Sequence, residues 1–244
     1  MRTPWTRNQL IEVLKLYCVT PFGRLHSRNP DIVSLAAALD RTPSAVALKA
    51  VNFASLDPTI DRKGMSNASA LDREVWTEFF ANIDAILEKP QRVDIDRGFS
   101  EIEQEQYIAS IPEGLDVHRL TKTRQNQSFF REMVLTSYDS KCALSGIAEA
   151  QLLNASHIVP WRVDPSARTN PRNGICLNAL HDRAFDRGLI SFDEDLKLIF
   201  SPQLSGIARE RIEELGASTL TLPSRFRPDP QFLHYHRTTL FKAA

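Results

Sequence analysis

Cysteine is scarce in this sequence: three occur in 244 residues, far apart at 18, 142 and 176. An odd, scattered set does not make a disulfide framework, so a reducing compartment is the natural setting and the expected location is the cytoplasm. Long apolar runs are lacking too. None approaches the ~18 residues a membrane helix needs, and the first residues carry no apolar signal core. The expectation is therefore a soluble chain without a membrane partner. Net charge is also missing, since 30 Lys and Arg balance 30 Asp and Glu. A neutral total does not advertise nucleic-acid binding, so affinity for a polyanion must come from a local basic surface. No internal repeat or low-complexity tract occurs. What remains is an ordinary globular composition, 42% apolar and 25% charged, with room for one large or two small domains.

The balanced charge is unevenly spread. Arg119, Lys122, Arg124 and Arg131 follow one another with no acidic residue between 119 and 131, whereas 93–118 is rich in Asp and Glu. Upstream the patterns are helical. Thr6 and Gln9 make a capping-box pair ahead of the stripe Leu10, Val13, Leu14 and Tyr17. Asn29-Pro30-Asp31 starts a second helix expected to run to about Leu39, and Thr42-Pro43 starts a third with Val46, Ala47, Ala50, Val51 and Ala54 inward. So short a turn, Asp40-Arg41-Thr42, fits a helix-turn-helix. In that arrangement the helix from Pro43 meets DNA, with Ser44, Lys49 and Asn52 as candidate contacts; a bundle that only packs or dimerises has the same pattern. One long helix is expected from about Leu71 to Glu88. Pro90, Gly98, Pro112 and Gly114 then mark a linker with one short helix near 100–109, and a further helix is expected from about Gln127 to Tyr138.

The most informative stretch is 142–191. Leu152-Leu153 lead into Asn154-Ala-Ser-His157-Ile-Val, which reads as a strand ending at Pro160; Pro171 and Asn173-Gly174 punctuate a return; Leu180 and Ala184 belong to a short helix carrying His181. The order is strand, loop, strand, helix. Gly188–Phe192 and Leu196–Phe200 follow as a hairpin around Asp193-Glu-Asp195, and a proline-bearing tail ends in a short helix near 232–241.

The residues His157, Pro160, Trp161, Asn173, Gly174, Leu177, His181, Phe185, Asp186, Gly188, Leu189 and Ile190, with a lead-in of Gln127–Arg131 and Cys142–Gly146, resemble the HNH (ββα-metal) endonuclease family, in its His-Ile-x-Pro-Trp restriction-type branch. The resemblance covers roughly 120–202. It implies an α+β protein: a helical domain 1–88 for recognition or interaction, a linker 89–118, an HNH nuclease domain 119–215 and a tail 216–244 packed on it. The implied activity is hydrolysis of double-stranded DNA to 5′-phosphate and 3′-hydroxyl ends with one divalent cation, Mg²⁺ first, Mn²⁺ or Ni²⁺ as substitutes. In that scheme His157 is the general base, Asn173 orients it through backbone hydrogen bonds, and His181 holds the metal with help from Asp186 or Asp182. Arg162, Arg168, Arg172, Arg183 and Arg187 surround this site and, with Lys122 and Arg124, are candidate phosphate contacts.

Two departures from the family pattern stand out. Ser156 occupies the position before the base where many relatives have a metal-binding aspartate. Relatives with a structural zinc use two Cys-x-x-Cys pairs; here the corresponding places read Cys142-Ala-Leu-Ser145 and Cys176-Leu-Asn-Ala179, so no structural zinc is expected. The implied role is restriction of foreign or modified DNA, with a homodimer if both strands are cut. An inert DNA-binding or regulatory protein, and a nuclease effector activated by a partner or by oligomerisation, are the alternatives.

Overall fold

The computed structural model describes residues 4–60, 67–87 and 117–243, with only the backbone of 117–124. The anticipated helix near 100–109 and the side chains of Lys122 and Arg124 lie outside the described residues. Among those described, no helix is long and apolar enough to cross a membrane. Helices and two small antiparallel sheets make the fold α+β.

The amino-terminal helices start where their caps dictate. In α1 (Arg7–Val19) the Thr6 hydroxyl accepts from the Gln9 amide at 3.3 Å, and the Gln9 side chain accepts from the Thr6 amide at 3.2 Å. Asn29 caps α2 (Pro30–Ala38) and Thr42 caps α3 (Pro43–Ala54), each with proline in the first turn, where its missing N–H costs nothing. Asp40 turns the chain between them at φ 54°. α1 buries Ile11 and Leu16 as well as the expected stripe, because α2, α3 and α4 (Ala70–Ala81) pack around it. The long helix expected to 88 is broken at Asn82. Its side chain accepts from the Ala85 amide at 3.1 Å and so starts a separate α5 (Ile83–Leu87).

α6 (Val117–Ser137) is the spine shared by two cores. Met133 joins the amino-terminal core, while Phe130 and Val134 join the second. That second core is organised by β1 (Leu153–His157) and β2 (Gly174–Asn178), paired antiparallel with His157 opposite Gly174. Gly174 is required by close approach, since a Cβ there would collide with Val134 and Phe130 of α6. α7 (Ala179–Asp186) closes the hairpin, and β3 (Ile190–Phe192) pairs with β4 (Leu198–Phe200) as expected. A helix that the sequence reading lacks, α8 (Gly206–Leu215), is capped by Ser205 and buries only Ile212.

The tail differs most from expectation. α9 (Pro230–Tyr235) and the following π-turn do pack on the second core through Leu233 and His236. Residues 224–227 cross instead to the amino-terminal helices. The buried Arg225 guanidinium donates to the carbonyls of Tyr17, Cys18 and Thr20 at the carboxyl end of α1, where Tyr17 also accepts from the Thr20 amide. Phe226, turned inward at φ 52°, packs among Tyr17, Trp76 and Phe80. α3 needs a correction as well. Lys49 and Asn52 are buried; the Lys49 ammonium is held by Asp72 at 3.0 and 3.1 Å and lies over the Trp5 ring. Lys49 is thus committed to the bundle, and of the pair Ser44 and Lys49 only Ser44 is exposed.

Candidate active site

His157 ends β1 with its ring stacked on Phe130, centroids 4.0 Å apart and planes 13° from parallel; the edge of Trp161 closes another side at 5.5 Å. Its Nε2 lies 2.9 Å from the Arg168 carbonyl. A carbonyl only accepts, so Nε2 carries the proton and Nδ1 keeps its lone pair. Burial pushes the His157 pKa below its usual value, and the Arg168 carbonyl and the Asp182 charge pull the other way without restoring it. The ring is therefore neutral near pH 7, with Nδ1 as its basic atom.

The carbonyl that sets this tautomer is placed by Asn173. Fully buried, Asn173 donates through Nδ2 to the carbonyls of Val159 (3.0 Å) and Ala167 (3.1 Å), and its Oδ1 accepts from the Val159 amide at 2.8 Å. One side chain thus pins both ends of the loop between β1 and β2, one residue before Arg168. The Arg168 side chain folds back onto Trp161, donating to its carbonyl at 2.8 Å and lying over its ring.

Along β1, Asn154 and Ser156 share the face opposite His157, and that face meets α7. Asp182 accepts hydrogen bonds there from the Ser156 hydroxyl and from Asn154 Nδ2, the latter at 2.7 Å. Asp186, one helical turn on, shares the face of Asp182. Burial first, and then the charge of Asp182, raise the Asp186 carboxyl above its usual value against the pull of Arg183 and Arg187.

His181 does not join this face. Its side chain is fully buried, Nδ1 lies 3.1 Å from Asn178 Nδ2 and 3.6 Å from the Cys142 sulfur, and Nε2 is closed off by Gly216. The expectation that His181 holds the metal finds no support in this geometry: its ring is turned to Cys142 and Asn178, about 100° round the helix from the face of Asp182. The presumed second zinc pair moves likewise. Cys176 lies within β2 opposite Ala155, and Asn178 and His181 are the residues that face Cys142 and Ser145.

The arginines divide. Arg162, Arg183 and Arg187 are exposed. Arg172 is held by Asp229 at 3.1 Å and by the Arg227 carbonyl at 3.4 Å, and Arg168 is occupied by Trp161. Neither Phe130 nor Asn154 stands out in the sequence as a site residue. The only available signal was that Asn154 and Ser156 alternate on one strand face, opposite the base.

A β-hairpin closed by a helix around one neutral, oriented histidine is the scaffold of a one-histidine hydrolytic site, the ββα-metal class. Residues 142–193 match the family described as HNH endonuclease, a likeness that suggests nuclease activity on DNA for this part of the chain. No curated protein matches the chain.

HNH nucleases generally use a divalent cation. Among the described residues no three His, Cys, Asp or Glu side chains converge as a metal cage. A hard cation needs less: Mg²⁺ is commonly held by one or two carboxylates with water and substrate phosphates completing its shell. Asp182 and Asp186 are two carboxylates on one face, one of them raised partly by the other's charge, and Asn154 and Ser156 brace Asp182 by donating to it. This donor set fits.

Proposed function

We propose that the chain is a metal-dependent HNH endonuclease that hydrolyses double-stranded DNA, acting in the cytoplasm in restriction of foreign or modified DNA. One observation carries the reading: the Arg168 carbonyl holds the His157 Nε2 proton, which leaves Nδ1 of a neutral ring free to take a proton from water. Asn173 keeps that carbonyl in place, and Phe130 keeps the ring from rotating. Asp182 and Asp186 would hold the cation. When bound, it neutralises charge on the scissile phosphate and stabilises the departing 3′ oxygen. Arg162, Arg183, Arg187 and Ser44 are the exposed candidates for DNA contact, and phosphate contacts of that kind supply sequence-independent affinity.

The test is supercoiled plasmid incubated with purified protein and Mg²⁺, Mn²⁺, Ni²⁺ or EDTA, on unmodified and on phage-modified DNA. Cutting that requires a cation and yields ends that DNA ligase reseals supports 5′-phosphate and 3′-hydroxyl products. Failure on every DNA with every cation would leave an inert DNA-binding protein. A second reading, an effector activated by a partner or by a second copy, draws support from the 224–229 segment, which ties the amino-terminal helices to Arg172 beside Asn173. Activity that rises steeply with protein concentration, alongside a dimer on sizing, would favour it.

A further inference from the structure

Behind the carboxylate face, on the core side of α7, four polar side chains meet. Cys142 and Ser145 come from the turn after α6, Asn178 and His181 from the first turn of α7. The Ser145 amide donates to the Cys142 sulfur at 3.4 Å, Asn178 Nδ2 donates to the Ser145 hydroxyl at 2.9 Å and to His181 Nδ1 at 3.1 Å, and the Cys142 sulfur stands 3.6 Å from the same nitrogen. The amide orientation is not free. Asn178 Oδ1 accepts from the amides of Leu180 and His181, both at 3.0 Å, so Nδ2 must be the donor. His181 Nδ1 is then an acceptor already in use, and the ring proton sits on Nε2. That Nε2 is fully buried and has no hydrogen-bond partner among the described residues. Gly216 presses against it, and a Cβ there would stand 3.2 Å from Cε1 and 3.3 Å from Nε2.

An unsatisfied buried donor is destabilising, and four apolar side chains would fill the same space without it. What the polar set provides is direction. Its hydrogen bonds are made at one rotation of α7 about its axis, and at that rotation the next residue, Asp182, meets Asn154 and Ser156. We propose that Cys142, Ser145, Asn178 and His181 form a positioning clamp for α7, and that His181 acts on the cation site only through Asp182. The inference rests on Asp182 being a cation ligand, as argued above.

The clamp can be tested by changing its chemistry while keeping its geometry. A zinc tetrahedron with bonds of about 2.2 Å has an edge of about 3.6 Å, which is the sulfur-to-Nδ1 separation found here. The full-length Ser145→Cys/Asn178→Cys variant therefore presents three thiols and one imidazole to Zn²⁺. Zinc content after dialysis is measured, and then Mn²⁺ binding without DNA by electron paramagnetic resonance, beside wild type and Asp182→Asn. About one retained zinc per chain, Mn²⁺ binding close to wild type, and a loss of ~10-fold or more in Asp182→Asn are expected.

If zinc in the clamp abolishes Mn²⁺ binding, His181 is itself a ligand and the proposal is overturned. A folded double variant that takes up no zinc overturns it too, since the four side chains would not converge. Wild type that binds no Mn²⁺ would instead remove the cation reading on which the proposal rests. Should the double variant not fold, Gly216→Ala displaces the His181 ring without altering its chemistry. A fall of about 10-fold in Mn²⁺ affinity is then expected, and unchanged affinity in a less stable protein would overturn the clamp.

Discussion

At the residue scale, His157 is constrained twice. The Arg168 carbonyl decides which nitrogen is basic, and the Phe130 ring, stacked at 4.0 Å, helps keep water from the imidazole. Because burial depresses its pKa, the acid limb of the cleavage rate against pH is expected below 6.5. Phe130→Leu admits water, so the limb moves to higher pH; single-turnover rates between pH 5 and 8 check this, and an unmoved limb contradicts it. His236 is a second neutral histidine, stacked on Phe185 and bonded to its carbonyl, with burial pushing its pKa down to about 4 despite that carbonyl. In the unfolded chain it titrates near 6.5. Between those values the unfolded state binds a proton that the native state does not, so stability is lost as pH falls from 6.5 to 4, by about 3 kcal/mol over the window. Urea titrations at pH 7 and 4.5 are expected to show this loss in the wild type and a shallower one in His236→Gln.

At the element scale, the caps were readable from sequence because each is a local hydrogen bond: Thr6 with Gln9, Asn29 with Asp31, Thr42 with Ala45. The placement of His157 at a strand end and of Asn173 just before the second strand is readable because both signals are local too. Residues whose role depends on what packs against them were not. Lys49 looks like a DNA contact on α3, but its partner Asp72 lies on α4, where its carboxylate also accepts from the amide of the capping Ser69. In the proposed reading Asp182, one residue on, takes the role expected of His181, whose ring meets Cys142 and Asn178, contacts that periodicity does not weigh. Lys49→Ala is expected to cost about 3–5 kcal/mol by leaving the buried Asp72 carboxylate without its cation, and the Lys49→Met/Asp72→Asn pair to recover much of it. Urea unfolding measures both. Plasmid affinity in the folded Lys49→Ala protein should stay near wild type; a large loss would return Lys49 to the DNA surface.

At the scale of the whole molecule, two cores share α6 and are tied again by the tail. Arg225 and Phe226 reach into the amino-terminal helices, the Phe226 and Arg227 amides bond to Asp57 and Thr59, and Arg172 and Asp229 hold the other end. No sequence period marks such a crossing, because its partners lie some 170 to 210 residues away. Phe226→Ala removes a ring packed against Tyr17, Trp76 and Phe80 and is expected to cost about 3–5 kcal/mol. It should also split one thermal unfolding transition into two, and calorimetry that still shows a single transition would argue against the tail as a tie. The most direct test of the molecule's chemistry remains cleavage of plasmid at pH 7.5 by wild type and by His157→Ala, with Mg²⁺ or Mn²⁺ and with EDTA. Cation-dependent cutting that falls by at least about 100-fold in the variant, with folding intact, is the expected result. Undiminished cutting by His157→Ala would contradict the assignment of His157 as the base.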